Sequence, residues 1–286
     1  MEPSLIEQLK AFVMLLRPPY WLMTGGLSVL AMITLQKGFP DPYLLAITFL
    51  SVISITSGGF AFNDYSDKET DAVVKPNRPI PSKRVAPWHA LLASAILFTV
   101  GLLAALRINV FCFGIAFMDM LLLVAYSAFI KRLAGFLGNF LVGFLIGTSF
   151  VYGEAVLFGR VTVTSFSLTF MSMGSIGGNM LRDVLSLNGD LKAGYTTLAT
   201  KRGASLATKM GAILFLLNAI ASPLPFLAGA VGYAYLIPII IWDIILVYSA
   251  VSLLRKTKIQ EVRKQERLVT MTMILIPVAL IAGALT

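Results

Sequence analysis

Charged residues are scarce in this chain of 286 residues, and cysteine and histidine are almost absent. Only 13% of the residues are charged, whereas a soluble domain of ordinary composition has about 25%. The single cysteine, Cys112, excludes an intrachain disulfide and a cysteine-based metal cluster, and the single histidine, His89, excludes a multi-histidine metal site. Any metal ion that this chain binds must therefore have oxygen ligands.

Apolar residues predominate instead, with 57% hydrophobic residues and a mean hydropathy of +0.84. Since a membrane-spanning helix needs roughly 20 mostly apolar residues, we predict one all-α polytopic membrane domain over residues 1–286. Alternating segments of about ten residues, which predict a β-barrel, are missing. The nine predicted spans lie near residues 18–36, 43–62, 88–106, 108–130, 134–158, 163–181, 205–229, 231–254 and 268–285.

The distribution of basic residues predicts how the chain crosses the membrane. If the N-terminus is cytoplasmic, all 23 Lys and Arg residues fall on the cytoplasmic side except Lys37, Arg107 and Arg160. Such an excess is what the positive-inside rule requires. We therefore predict a multi-pass protein of the cell membrane with the C-terminus outside. The net charge of +9 then reflects contact with lipid headgroups and predicts no nucleic-acid partner.

Two clusters of aspartates stand out against this apolar background, in predicted cytoplasmic loops 63–87 and 182–204. Asp64, Asp67 and Asp71 follow the second span, whereas Asp183 and Asp190 follow the sixth. Both clusters contain two aspartates separated by six residues, at the cytoplasmic end of an even-numbered span. This echo predicts two pseudo-repeated four-helix units, with a ninth helix appended, around a central cavity.

Helical spacing explains what these aspartates do. If each helix continues past the membrane surface, positions i, i+3 and i+7 lie on one face. Carboxylates that close together repel one another unless a cation neutralises them. Oxygen ligands without His or Cys suit Mg²⁺, so all five aspartates are predicted metal ligands. In the second cluster Ser186 stands at the middle position.

Basic residues follow both clusters, with Lys75 and Arg78 after the first and Lys192 after the second. Carboxylates, a metal ion and cationic side chains together are suited to hold a diphosphate. The alternative is a solvated loop whose charges pair locally. Two clusters in matching register argue against that alternative.

Several motifs resemble those of the UbiA superfamily of intramembrane prenyltransferases. The first acidic motif, Asn-Asp-x-x-Asp-x-x-x-Asp, is matched by the stretch from Asn63 to Asp71. Typical features elsewhere are Arg17-Pro18, the RPIPS run from Arg78 to Ser82, the YSAFIKR run with Tyr126, Ser127, Lys131 and Arg132, and Gly138-Asn139. The second motif departs from the family pattern, because Ser186 replaces an expected carboxylate.

The resemblance implies a Mg²⁺-dependent transfer of a polyprenyl group from an allylic diphosphate to an acceptor, with release of diphosphate. It assigns catalysis to the five aspartates and Tyr126, whose ring would stabilise an allylic cation. The helices must keep water from that cation. The implied substrate-binding residues are Arg17, Asn63, Lys75, Arg78, Ser127, Lys131, Asn139, Ser186 and Lys192.

The acceptor stays open at this point. The chain looks most like archaeal enzymes that add a second geranylgeranyl group to geranylgeranylglyceryl phosphate, and an aromatic acceptor of the quinone pathway is the alternative. A secondary transporter also has repeats and intramembrane acids, but here the acids concentrate at helix ends. A CDP-alcohol phosphotransferase is disfavoured because its Asp-Gly…Ala-Arg motif is missing.

Three further acidic residues receive separate predictions. Asp119 and Asp243 lie within predicted spans, where a carboxylate is expensive, and we expect either a substrate contact, a proton path or pairing with a hydroxyl. Glu154 lies near the outer end of a span and is predicted to be solvated. The basic run 255–267 is predicted to be a cytoplasmic connector.

Overall fold

The computed structural model describes residues 4–131, 135–192 and 194–286, and these ranges contain helices and no strand. In chain order the α-helices are α1 (Leu5–Leu16), α2 (Pro18–Gln36), α3 (Pro42–Ser66), α4 (Lys68–Val74), α5 (Pro87–Ile108), α6 (Val110–Ala125), α7 (Gly135–Phe158), α8 (Val163–Thr169), α9 (Ser172–Lys192), α10 (Leu198–Arg202), α11 (Ala204–Ala221), α12 (Leu224–Leu227), α13 (Leu236–Arg255), α14 (Ile259–Thr272) and α15 (Leu275–Ala284). A π-helical turn, Tyr126–Ile130, continues α6. The all-α prediction is confirmed.

Seven helical segments of the described chain are long and apolar enough to cross a membrane, which makes this a multi-pass membrane protein. They are Pro42–Ser66, Pro87–Ile108, Val110–Ile130, Leu137–Phe158, Ala204–Leu227, Tyr233–Arg255 and Ile259–Ala284. The predicted spans 18–36 and 163–181 are not among them. The nine-span count and the pseudo-repeat therefore stay predictions.

The predicted span 163–181 differs from the structure in both its continuity and its end. The chain forms two helices there, α8 and α9, and α9 runs on to Lys192. Most of the predicted loop 182–204 is thus helical. Leu181 and Val184 are buried on one face of α9 while Arg182 and Ser186 are exposed, an amphipathic pattern that sustains the helix past residue 181.

The basic run 255–267, which the sequence predicts to be a cytoplasmic connector, is helical from residue 259 onward. Val262, Gln265 and Val269 are buried along one face of α14, while the charged residues between them lie on the other. The apolar spacing of three and four residues is the signature of an amphipathic helix. This helix supplies one wall of the cavity described below.

Glu154 is buried, so the prediction of a solvated outer residue is wrong. Its carboxylate accepts hydrogen bonds from the Thr162 backbone N–H at 2.8 Å, from the Thr162 hydroxyl at 2.6 Å and from the Ser165 hydroxyl. Hydrogen bonds from three donors offset the cost of burying the carboxylate. Glu154 thereby fastens the turn between α7 and α8.

Glycines set the closest helix crossings around the cavity. A Cβ on Gly177 of α9 would lie 3.0 Å from the carbonyl oxygen of Gly211 on α11, and a Cβ on Gly211 would lie 3.1 Å from the Gly177 carbonyl. Small residues let helix backbones approach in this way. The crossing holds α9, which carries the second acidic cluster, against the rest of the bundle.

Two buried apolar clusters share the helices α2 and α7. One includes Leu30 and Phe150 together with Trp242, and the other includes Met32 and Tyr152. Because α2 and α7 contribute to both clusters, they join the two halves of the chain into one packed unit.

Candidate active site

A cavity of about 670 Å³ lies between α2, α3, α6, α7, α9 and α14. One part of its lining is cationic and contains seven predicted site residues, Arg17, Asn63, Lys75, Arg78, Tyr126, Ser127 and Lys131. Another part is largely apolar and includes Val52, Ile55 and Leu123. The cavity therefore pairs a polar site with space for a hydrocarbon chain.

The first acidic cluster lies where α3 ends and α4 begins. Asp67 interrupts the helix, with φ −89° and ψ 2°, so the predicted uninterrupted helix through Asp71 is wrong in that detail. The backbone N–H of Asp67 nevertheless donates to the Asn63 carbonyl at 2.9 Å, and that of Asp71 to the Asp67 carbonyl at 2.8 Å. Since helical hydrogen bonding resumes at once, the three carboxylates stay on one side of the chain.

Arg17 and Arg78 neutralise the two outer carboxylates of this cluster. Arg17 pairs with Asp64, and Arg78 donates to Asp64 at 3.2 Å and to Asp71 at 2.5 Å. Asp64 is 4% exposed and Asp71 is 1% exposed. Buried carboxylates of this kind need such partners, because an unpaired buried charge is expensive.

Lys131 neutralises the middle carboxylate. It pairs with Asp67, which also accepts a hydrogen bond from the Asn63 side-chain amide at 2.9 Å. The three cations line the cavity, whereas the three aspartates do not. The first cluster is thus a buried acidic layer beneath a cationic surface.

Arg17 reaches this site from an unusual backbone conformation. It lies between α1 and α2 with φ 53°, in the left-handed region that non-glycine residues rarely adopt. Its guanidinium group lies over the Phe60 ring, 4.7 Å from the centroid. The ion pair with Asp64 and this cation–π contact together offset the local strain.

The second cluster lies on one face of α9, as the spacing predicts. Ser186 donates to Asp190 at 2.7 Å, and Asn139 of α7 donates to Asp183 at 2.7 Å. Burial raises the pKa of Asp183 to about 6, the Asn139 hydrogen bond opposes this shift, and the Asp190 charge adds to it. Neither aspartate has an ion pair within the described ranges, so this cluster carries uncompensated negative charge.

Tyr126 lies close enough to both clusters to interact electrostatically with Asp67 and Asp183. Its ring packs against α7, where a Cβ on Gly138 would lie 2.8 Å from the Tyr126 Cε2 atom. Gly138 thus makes room for the ring, while the neighbouring Asn139 holds Asp183. This contact explains why both residues of the Gly138-Asn139 pair belong to the site.

Tyr195 is a site residue that the sequence analysis missed. Its pKa is raised by burial first, and then by the carboxylate charges of Asp67, Asp71 and Asp190. One hydroxyl therefore lies within electrostatic reach of both clusters. The Lys131 ammonium lies over its ring, 5.0 Å from the centroid. The only local signal was a single aromatic residue in a polar turn.

The remaining predicted residues make no described contact with either acidic cluster. Lys192 is exposed at the end of α9 and does not line the cavity. Asp243 accepts a hydrogen bond from Ser222 at 2.6 Å, as structural pairing requires, and Asp119 lines the cavity beside Thr148. Arg132 falls outside the described residues.

The carboxylate oxygens of the site are the ligands that Mg²⁺ prefers, and one of them makes no hydrogen bond in the described chain. The Oδ1 atom of Asp71 is buried without a hydrogen-bond partner in the described chain. Among the residues that the structure describes, however, no three acidic, His or Cys side chains converge as a metal site. The first cluster does not converge because its carboxylates are turned toward Arg17, Arg78 and Lys131.

Comparison with known proteins gives consistent matches over nearly the whole chain. The model of the UbiA prenyltransferase family matches residues 24–276. A digeranylgeranylglyceryl phosphate synthase of Pyrococcus furiosus is 31% identical over 284 residues, covering 98% of this chain and 99% of that protein.

Two solved structures have the same fold. One, from work on digeranylgeranylglyceryl phosphate synthase in membranes, has a TM-score of 0.84 and 28% identity over 98% of this chain and 99% of that one. A UbiA homologue of Archaeoglobus fulgidus bound to GPP and Mg²⁺ has a TM-score of 0.68 and 16% identity, covering 95% of this chain and 99% of that one.

Proposed function

The chain belongs to the UbiA prenyltransferase family, and on that premise we propose that it transfers a geranylgeranyl group from geranylgeranyl diphosphate to geranylgeranylglyceryl phosphate. The observation that carries this proposal is the cavity, which combines a cationic surface over buried aspartates with an apolar interior. The similarity to digeranylgeranylglyceryl phosphate synthases over almost their full length supports the choice of donor and acceptor.

The cationic surface is suited to bind the diphosphate of the donor. Lys75 lines the cavity and has no ion pair within the described residues, and burial lowers its pKa, with a further contribution from the Arg78 charge. A desolvated, unpaired ammonium group gains most from a diphosphate oxygen. Arg17 and Arg78 have further N–H groups beyond those that hold the aspartates, and these are available to the same ligand.

Five aspartates are the residues we propose to hold Mg²⁺, namely Asp64, Asp67, Asp71, Asp183 and Asp190. When bound, Mg²⁺ withdraws negative charge from the diphosphate oxygens and makes diphosphate a better leaving group. The Mg²⁺ and GPP bound to the A. fulgidus homologue are consistent with this assignment. Ser186 supplies a hydroxyl where a sixth carboxylate would stand.

Bond breaking leaves the electron pair on the diphosphate and an allylic cation on the prenyl chain. Tyr126 is proposed to face that cation, and its ring would stabilise it by cation–π attraction. The apolar walls exclude water, which would otherwise capture the cation. The acceptor hydroxyl oxygen then forms the new carbon–oxygen bond and releases its proton.

The proposal is tested with the purified protein in lipid, radiolabelled geranylgeranyl diphosphate and two acceptors, geranylgeranylglyceryl phosphate and 4-hydroxybenzoate. We expect Mg²⁺-dependent diphosphate release and a labelled lipid product only with the glyceryl phosphate. Product with the aromatic acceptor alone would support the quinone-pathway alternative. Substrate translocation across vesicles without any diphosphate release would support the transporter alternative.

The predicted orientation has its own test, because the two acidic clusters share a site only if they lie on one side of the membrane. We propose that the N-terminus and both clusters are cytoplasmic. In a Cys112→Ser background, cysteines at Lys83 and Lys201 are expected to react only with a reagent on the cytoplasmic side, and a cysteine at Arg107 only from outside. Labelling of Lys83 and Lys201 from opposite sides would contradict the orientation.

A further inference from the structure

The cavity has a second cationic position, separate from the surface over the first acidic cluster. Arg182 of α9 lines the cavity together with Asn179 of the same helix and Thr270 of α14. The other cavity-lining cations lie before α2, after α4 and directly after the π-helical turn; they are Arg17, Lys75, Arg78 and Lys131. A donor diphosphate bound at those cations would leave Arg182 for a different anion.

The hydrogen bonds of Arg182 hold the guanidinium group in place and leave part of it available. Its Nε–H donates to Glu266 at 2.9 Å, one terminal nitrogen donates to the Asn179 side-chain oxygen at 3.0 Å, and the other donates to the Thr270 hydroxyl at 3.2 Å. A guanidinium group has five N–H donors. One N–H group on each terminal nitrogen therefore remains, and these two donors are available to phosphate oxygens.

The ion pair with Glu266 leaves Arg182 able to bind an anion. The side chain of Arg182 is 50% exposed, so the ion pair with Glu266 is partly solvated, and such pairs contribute little free energy. The orienting contacts from Asn179 and Thr270 are neutral. A phosphate monoester brings more negative charge than the single carboxylate of Glu266 and can bind beside it.

The same wall has room for the hydrocarbon part of a lipid phosphate. Gly174 and Gly178 precede Arg182 on α9 at intervals of four residues and line the cavity. A Cβ on Gly178 would have no atom within 4 Å. An alkyl chain can therefore lie along α9 while its headgroup reaches Arg182.

We propose that Arg182, oriented by Asn179 and Thr270, binds the phosphate of the acceptor lipid and so selects a phosphate-bearing acceptor. This inference rests on the proposed function. It assigns the two anions of the reaction to separate cations, the donor diphosphate to the surface over the first cluster and the acceptor phosphate to α9. Selection follows because an acceptor without phosphate leaves Arg182 without its ligand.

The first experiment measures KM for both substrates in Arg182→Gln. We expect KM for geranylgeranylglyceryl phosphate to rise about tenfold or more, which is the loss of a charge-assisted hydrogen bond, while KM for geranylgeranyl diphosphate stays unchanged. With geranylgeranylglycerol, the acceptor without phosphate, wild type and variant are expected to be equal. Arg182→Lys keeps the charge but loses the fork and is expected to lie between them. Arg263→Gln, an exposed cation on α14, is the matched control and is expected to leave both KM values unchanged.

Glu266→Gln separates phosphate binding from a bracing role between α9 and α14. If Arg182 and Glu266 only brace the helices, both substitutions will raise the acceptor KM alike. If Arg182 binds phosphate, Glu266→Gln removes a competing negative charge and the acceptor KM will stay equal or fall. A raised acceptor KM in Glu266→Gln, or equal losses in Arg182→Gln with and without the acceptor phosphate, would overturn the assignment.

The proposed function and this inference fail in different ways. Absence of transfer to geranylgeranylglyceryl phosphate by the wild-type protein contradicts the proposed function. Normal transfer by the wild type, with an unchanged acceptor KM in both Arg182 variants, contradicts the role of Arg182 alone.

Discussion

The two acidic clusters of this protein differ in how far their negative charge is compensated by neighbouring residues. In the first, Asp64, Asp67 and Asp71 are each buried and paired with a cation. In the second, Asp183 and Asp190 are partly exposed and receive hydrogen bonds only from a neutral amide and a hydroxyl in the described structure. The first cluster is therefore charge-balanced before any ligand arrives, whereas the second depends on an added cation.

Because of this difference, aspartates of the first cluster and aspartates of the second are expected to respond differently to substitution. Removing a carboxylate from the first cluster leaves a cation without its partner, so both stability and activity depend on it. Removing one from the second cluster relieves repulsion, so activity should fall while stability stays equal or rises.

The largest effect is expected for Asp64→Asn, which breaks the pair with Arg17 and weakens the contact with Arg78. Turnover is expected to be abolished. Breaking a fully buried pair costs about 3–5 kcal/mol, and the loss of unfolding free energy should fall below that range because both guanidinium groups are partly exposed. Thermal unfolding in detergent and diphosphate release measure the two quantities.

The double variant Asp64→Asn/Arg17→Gln is the control for this interpretation. It removes both charges of the pair, so thermal stability is expected to recover partly while turnover stays absent. Recovery of turnover would contradict a direct role of Asp64 in the reaction. A single variant as stable as wild type would contradict the charge-balance argument.

A large loss of activity without a loss of stability is expected for Asp183→Asn. The folded protein favours the neutral form of Asp183, because its pKa is raised to about 6 above an unfolded value near 3.9. In metal-free wild type, unfolding free energy therefore falls as pH rises from about 4 past 6. The variant is expected to lose this fall and much of its turnover.

Thermal unfolding of both proteins with EDTA, at pH 4 and at pH 7.5, checks the prediction. The Asp183 variant should equal wild type at pH 4 and exceed it at pH 7.5. A variant less stable than wild type at pH 7.5 would show that the second cluster is charge-balanced like the first.

Ser186→Asp is expected to have a smaller effect, by making the second cluster as acidic as the first. Ser186 contacts Asp190, so a carboxylate there would face the same ion. A pair of unit charges 4 Å apart is worth about 4 kcal/mol at an effective dielectric constant near 20, and desolvation offsets part of this. The Mg²⁺ concentration for half-maximal diphosphate release should therefore fall. An equal or higher requirement would mean that residue 186 does not face the metal.

The smallest effect is expected for Tyr195→Phe, which changes the residue between the clusters without changing their charge. The Tyr195 hydroxyl is buried with no hydrogen-bond partner in the described chain, and removing an unsatisfied polar group is nearly neutral or stabilising. The ring remains for Lys131. We expect equal or higher thermal stability and a modest loss of turnover. A loss of stability would indicate a hydrogen bond that the hydroxyl makes with bound water.

The spacing of residues in the sequence predicted which side chains share a face where one continuous helix carries them. The register of Asp183, Ser186 and Asp190 is confirmed because a continuous α9 carries all three. The break at Asp67 was not predictable from spacing, since the three aspartates fit an uninterrupted helix equally well. The family resemblance drew attention to Arg17 and Lys131, but it did not predict which carboxylates they pair with.

Contacts between different helices and turns could not be predicted from the sequence. Glu154 looked solvated because its hydrogen-bond donors, Thr162 and Ser165, follow it across a turn. Arg182 reaches the cavity beside Thr270 of α14, and Tyr195 meets Lys131, only because segments far apart in the chain pack together. Spacing along one helix carries no information about such contacts.

The ion pairs of the first cluster also have a consequence for how the protein is made. Arg17, the partner of Asp64, is synthesised before the cluster, but Lys131, the partner of Asp67, lies 64 residues after it. During synthesis Asp67 must therefore wait, hydrated or protonated, until α5 and α6 have been inserted. The ion pairs of this cluster can therefore be completed only after the segment carrying Lys131 has left the ribosome.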